Sequence, residues 1–370
     1  MPRFPLGHPV QVFAWWLAWA SASIPWTLAF RWVPGTAHKT PRDGPFLLVA
    51  NHTSAFDPVW IAFFLFRRSS FMASSALFRL PILGKVLPYC GCFPKEKFVK
   101  DRDSMKTLAT RYDAGDVIVL FPEGTRTFDG RTRPVLPGIG RLVKRLNARV
   151  VTARILNGHL FHPRWAKYPR WVPIRVEYAE PRTWNEDATP EQIARDIGAA
   201  ITIDPSTAPT GTFSPGFRMA EGLPDFLWAC PSCFQQEGLK AKGHEVVCEG
   251  CSCRWRIDTA SRMHGTPTLF VHEAHDLLAA HFGSADISGR GKLIQVPRGQ
   301  PTEPVDEGDA SLTDEGLRVG DTLIPMAELH AVSVEVQNRL TFRRGEVLFE
   351  LIPEGSSTLK WGHFLTRKLA

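Results

Sequence analysis

The chain is predicted to fold as an α/β domain with a mixed, largely parallel sheet flanked by helices, followed by a small cysteine-based module and a small β-rich C-terminal domain. Three observations carry this expectation. Short apolar runs alternate with helical patterns over residues 36–205, the rhythm of strands linked by crossover helices. The chain then turns rich in Pro, Ser, Thr and Gly over 206–225, which marks a linker. Two Cys-x-x-Cys pairs follow, and after them short alternating runs separated by turn residues.

Taken in order, residues 1–35 come first. No Asp, Glu, Lys or Arg occurs between Arg3 and Arg31, and Trp15, Trp16, Trp19 and Trp26 lie inside that stretch. Its length is enough to span a bilayer, for which about 20 apolar residues suffice. Pro25 would break or kink a helix, and tryptophan prefers the headgroup boundary. A helix or helical hairpin lying in the membrane interface fits best. A single span, a signal peptide cleaved after the small residues Ala20-Ser21-Ala22, and a buried core helix also fit. In either membrane version Arg31, Lys39 and Arg42 hold the following domain on the cytoplasmic face.

Within 36–205, Phe46–Ala50, Val117–Phe121 and Val150–Leu156 are short, mainly apolar runs that read as buried strands, and Asp57–Phe66, Ser104–Ala114 and Ile139–Leu146 read as helices. In sheets of this kind chemistry gathers at the carboxyl ends of strands. Two blocks sit there. Asn51-His52-Thr53-Ser54-Ala55-Phe56-Asp57 follows the first strand, and Phe121-Pro122-Glu123-Gly124-Thr125-Arg126 ends the second. Imidazole, with an ordinary pKa near 6.5, is the natural base at neutral pH, and Asp57 is the nearest group able to orient it. Asp57-Pro58 is equally a helix cap followed by proline at the first helical position. Arg126 offers a planar fork for a phosphate. No Gly-x-Ser-x-Gly elbow occurs, so direct attack by a substrate hydroxyl is simpler than an acyl-enzyme route.

These blocks, in this order, resemble the glycerolipid acyltransferase family, of which lysophosphatidic acid acyltransferase is the best-known type. The likeness covers about residues 36–180. Gly91-Cys92-Phe93-Pro94-Lys95-Glu96-Lys97 stands where the family usually runs from glycine to an arginine six positions on; here that position is Lys97. Leu136-Pro137-Gly138 resembles the next turn, and Thr152 replaces the proline of the fourth block. The resemblance implies a 1-acylglycerol-3-phosphate O-acyltransferase type of enzyme, with His52 as general base and Asp57 as its orienter. It implies that Glu123, Gly124, Thr125 and Arg126, with Asn51, Lys95 and Lys97, bind substrate. It also implies a lysophospholipid acceptor, an acyl-CoA or acyl carrier protein donor, and a membrane lipid surface as partner. Lys97 and Thr152 keep open a different lysolipid or a non-phosphate acceptor.

Cys230-Pro231-Ser232-Cys233 and Cys248-Glu249-Gly250-Cys251 are separated by 14 residues. Two knuckles at this distance signal a tetrathiolate, so a structural zinc on Cys230, Cys233, Cys248 and Cys251 is expected, in a zinc-ribbon-like module over 226–258. His244 and Cys253 are spare ligands nearby. Over 259–370 a helix at Thr268–Phe282 precedes runs at 310–312, 317–319, 330–336, 340–342 and 347–352, with a closing helix at Trp361–Leu369. That order resembles a pleckstrin-homology-like barrel.

The net charge of +7 conceals an asymmetry. Residues 1–205 hold 28 Lys and Arg against 16 Asp and Glu, a balance of +12, whereas 206–370 hold 16 against 21, a balance of −5. A basic first half suits an anionic partner. Nucleic acid is not expected, because the zinc half is acidic and Arg254 and Arg256 alone do not make a basic stripe.

Overall fold

The computed structural model describes residues 36, 39–62, 65, 67–96, 101–207, 216–297, 302–334 and 339–369. The expected membrane segment 1–35 and Lys97 lie outside the described residues. Among those described, no helix is long and apolar enough to cross a membrane. The chain divides into two compact units. The first holds 36–207 apart from two short excursions, 96–102 and 164–168, which belong with the second. The second otherwise holds 216–369.

The first unit is built on six strands: β1 Phe46–Ala50, β2 Ser69–Ser74, β3 Cys92–Lys95, β4 Val117–Leu120, β5 Val150–Leu156 and β6 Arg175–Tyr178, in the spatial order β3-β2-β4-β1-β5-β6. All pairings are parallel except β5 with β6. The sheet is therefore mixed and largely parallel, as expected. β1 is central and every one of its residues is buried. Successive strand residues face opposite sides, so Phe46, Leu48 and Ala50 enter one core and Leu47 and Val49 the other.

The first core is covered by α1 Asp57–Ala62, by the crossover that contains α2 Ser75–Phe78 and α3 Leu83–Val86, and, further along the chain, by α6 Gly158–Phe161. The second is covered by α4 Arg102–Asp113, α5 Gly138–Leu146 and α7 Pro190–Ile201. Thr189 caps α7 by accepting from the Gln192 amide. α5 ends at Asn147 in the left-handed conformation, a residue that tolerates it. Burying side chains such as Trp60, Phe46 and Leu48 supplies about 2 kcal/mol each, the principal drive for this packing.

The second unit opens with α8 Leu223–Phe226 and a five-stranded antiparallel sheet of β7 Leu239–Lys242, β8 Glu245–Cys248, β9 Arg254–Ile257, β10 Arg262–Gly265 and β11 Leu269–Phe270. This sheet runs past residue 258, where the cysteine module was expected to end. Leu269 and Phe270 pair with Met263 and Arg262, which is why the next helix, α9 Val271–Phe282, starts later than Thr268. A second antiparallel sheet contains β12 Ile287–Val296, β13 Glu303–Leu312, β14 Gly316–Val319, β15 Thr322–Pro325, β16 Leu329–Val334, β17 Leu340–Arg344 and β18 Val347–Glu354. Their order is β15-β14-β13-β12-β18-β17-β16, and α10 Thr358–Lys368 closes the unit with Trp361, Phe364 and Leu365 buried. Trp228 from the cysteine module packs against Phe282 and Phe364, joining module and tail in one unit.

Candidate functional site

β1 and β4 are parallel neighbours with Val49 opposite Leu120, so the loops leaving their carboxyl ends lie side by side. This is how residues 71 positions apart, His52 and Glu123, come together.

Asp57 organises the first loop. It is fully buried, and its carboxylate accepts from the amides of Thr53 (2.5 Å) and Ser54 (2.9 Å) and from the Thr53 hydroxyl (2.8 Å). The same Oδ2 lies 2.8 Å from Nδ1 of His52. A helix cap and an imidazole partner are thus one group: Asp57 starts α1 and folds the preceding loop back so that its carboxylate meets the ring. A proton on Nδ1 would satisfy this contact and leave Nε2, on the opposite side of the ring, as the nitrogen to act on a ligand. Phe121 stacks on that ring at 4.2 Å between centroids and 17° between planes. Gly158, at the start of α6, leaves the space. A Cβ there would meet the Thr53 hydroxyl at 2.2 Å and Asp57 Oδ1 at 3.4 Å.

Glu123 fastens the second loop to the first. Its Oε1 accepts from the His52 amide at 2.6 Å and its Oε2 from the Arg133 amide at 2.7 Å. The Thr127 amide donates to the His52 carbonyl at 2.9 Å. Both backbone groups of His52 are therefore held by the loop that follows β4. Burial pushes the Glu123 carboxyl up to about 7, assisted by the nearby Asp57 charge and opposed by the two amides. Gly124 adopts φ +72°, and the side chain of Leu136 lies over it, where a Cβ would come within 2.9 Å.

Of the remaining residues picked out from sequence, Asn51 is buried and bridges to β5, its Oδ1 accepting from the Ile155 amide (2.7 Å) and its Nδ2 donating to the Ile155 carbonyl (3.2 Å). It extends the β1–β5 pairing by one side chain. Thr125 and Arg126 are half-buried on the turn just before Thr127. Lys95 ends β3, which β2 separates from β4. Sequence reasoning missed Thr53, Phe121, Thr127 and Gly158. Phe121 opens the second block and Thr53 lies inside the first, so adjacency was a usable signal there. Nothing local marked Gly158, which matters only because β5 lies beside β1.

In the second unit the Sγ atoms of Cys230, Cys233, Cys248 and Cys251 all lie within 4.8 Å of one another, with Cys230–Cys251 and Cys233–Cys248 at 3.7 Å. Tetrahedral zinc with bonds near 2.3 Å requires sulfur–sulfur separations of about 3.8 Å, so the donor set fits such an ion. Cys253 stays outside the cluster, its thiol directed to Ser232 at 3.6 Å, and His244 is not part of it.

Residues 35–156 match the model of the acyltransferase family. Among curated proteins, the chain is 26% identical over 140 residues to a chloroplastic 1-acyl-sn-glycerol-3-phosphate acyltransferase of Brassica napus, covering 37% of this chain and 40% of that one. It is 29% identical over 173 residues to a 1-acyl-sn-glycerol-3-phosphate acyltransferase of Chlamydomonas reinhardtii, covering 45% and 52%. The chain thus spans about half or less of the length of these relatives. Among solved structures, the 1-acyl-sn-glycerophosphate acyltransferase PlsC of Thermotoga maritima aligns with a TM-score of 0.42 and 18% identity, covering 50% of this chain and 74% of that one.

Proposed function

We propose, from the match of residues 35–156 to the acyltransferase family model, that the protein transfers a fatty acyl group from a thioester to the free hydroxyl of a lysophospholipid, lysophosphatidic acid foremost. The observation that carries this reading is the pair His52 Nδ1–Asp57 Oδ2 at 2.8 Å, beside a loop bearing Arg126.

In this mechanism Asp57 holds the imidazole as the tautomer with its proton on Nδ1, and Nε2 takes the proton of the acceptor hydroxyl. The hydroxyl oxygen forms a bond to the thioester carbonyl carbon. The tetrahedral intermediate then collapses with cleavage of the carbon–sulfur bond, and the imidazolium returns its proton to the departing thiolate. A positioned base of this kind contributes about 10²–10⁴-fold. The remainder comes from holding both substrates and stabilising the oxyanion. Arg126 is assigned to the acceptor phosphate. We read Glu123 and Asn51 as fixing the loops, Glu123 through the His52 and Arg133 amides and Asn51 through Ile155. Donor identity, acyl-CoA or acyl carrier protein, is left to the assay.

Zinc on the four cysteines would have no open coordination position, so it supplies folding and no step of the reaction. The seven-stranded antiparallel sheet with its closing helix supports reading the tail as a pleckstrin-homology-like accessory domain.

The test is thiol release by purified protein given acyl-CoA, then acyl carrier protein donors, against a panel of lysolipids with His52→Ala alongside. Acceptor-dependent release that His52→Ala abolishes, with unchanged far-UV circular dichroism, is the expected result. Near-normal turnover by the variant removes the mechanism, and turnover with another lysolipid moves the acceptor.

A further inference from the structure

The crossover between β2 and β3 is held to the sheet by Phe78 and Leu87, which pack on the first core. Four of its other apolar side chains are exposed. Ile82 is 80% exposed, Tyr89 66% and Val86 47%, and Leu83 is exposed as well. Ile82, Val86 and Tyr89 follow one another at i, i+4 and i+7, through α3 and the 3₁₀ turn Leu87–Cys90 that extends it, so they form one stripe. Single exposed apolar residues are ordinary on a protein surface, whereas a continuous stripe marks a surface made to be covered.

Charge says what covers it. Between Asp57 and Glu96 the chain has no acidic residue, and the crossover itself carries Arg79 and Lys85, both exposed. Apolar side chains flanked by cations, with a tyrosine whose hydroxyl can stay wet, match the boundary of an anionic bilayer. We propose that this stripe is a bilayer-docking surface, inserting Ile82, Val86 and Tyr89 among the headgroups of an anionic phospholipid membrane. The choice of a lipid over a protein partner rests on the acyltransferase reading, since an amphiphilic acceptor resides in a bilayer.

An environment-sensitive fluorescent amino acid at position 82 of the full chain reads the contact without any assay of turnover. Position 141, exposed on α5 over the opposite core, is the control. With mixed phosphatidylcholine and phosphatidylglycerol vesicles, the label at 82 should shift to the blue and be quenched by a lipid-borne quencher, while that at 141 stays unchanged. Vesicle binding without a shift at 82, or no vesicle binding at all, overturns the proposal. A label already dry at 82 before vesicles are added also overturns it, because another part of the chain or a second copy then covers the stripe. Paired Ile82→Asp and Val86→Asp, both at exposed positions, should weaken vesicle binding about tenfold and leave turnover of a short-chain, water-soluble acceptor unchanged. If turnover is absent in every protein while the label shifts, the reaction fails and the docking surface stands.

Discussion

His52 illustrates how much of a catalytic geometry is carried by groups that never meet substrate. Its ring is set by Asp57 and Phe121 and its backbone by Glu123 and Thr127. Glu123 gives a prediction with a sign. Its folded-state pKa, about 7, lies above the ordinary 4.5. Between those values the native protein binds a proton that the unfolded chain has released, so wild-type stability falls as pH rises through this window. Glu123→Gln cannot titrate, and its amide can accept only one of the two N–H bonds. The variant should be less stable throughout, by about 1–3 kcal/mol at pH 5. Its gap to wild type should narrow as pH rises from 4.5 to 7, as read by thermal unfolding across that range; a constant gap removes the assignment. Arg126→Lys keeps the charge and loses the fork, so the apparent KM for a phosphate-bearing acceptor should rise about tenfold. An unchanged KM argues against phosphate recognition at Arg126.

At the scale of elements, the site exists because two strand ends are adjacent and a third strand brings Gly158 against them. Gly158→Ala is the corresponding test. The added methyl would need to displace the Thr53 hydroxyl, with which it would otherwise lie at 2.2 Å, and so disturb the bonds that present Asp57. Overpacking of this kind costs about 1–3 kcal/mol. Turnover should fall at least tenfold while the two-unit fold persists, checked by initial rates beside circular dichroism. Full activity in the variant would show that the loop relaxes freely. Strand Phe46–Ala50 was legible in the sequence because burial on both faces leaves an uninterrupted apolar run, and Val150–Leu156 because its apolar residues outnumber Thr152 and Arg154. β2 and β3 were not, since Ser69-Ser70 and Pro94-Lys95 interrupt them; only pairing with β4 and with each other makes them strands. The helix expected over 57–66 is formed at Asp57–Ala62, and residues 63, 64 and 66 lie outside the described part.

For the molecule as a whole, the cysteine module and the β-rich tail behave as one unit, joined by Trp228, Phe282 and Phe364 and by Lys360, whose ammonium reaches Glu237 at 2.9 Å. A metal that folds the module should therefore stabilise the tail. Elemental analysis should find about one zinc per chain, four thiolates making one closed site. Chelation, or Cys248→Ser, should lower the unfolding temperature of the second unit by several degrees and leave the first in place, as calorimetry would read it. Loss of zinc with no change in unfolding would leave the four cysteines without a structural purpose.

The sequence by itself determined the central strands, the two blocks at their carboxyl ends and the four-cysteine cluster, because each is written in residues a few positions apart. Short-range rules of burial, capping and ligand spacing act on just those distances. Only the tertiary structure decided that Glu123 and Asn51 brace loops, that Gly158 makes room for Asp57, and that Ile82, Val86 and Tyr89 stay exposed. Those facts depend on which strand lies beside which and on which face of a crossover meets the core, and chain neighbours carry no record of either.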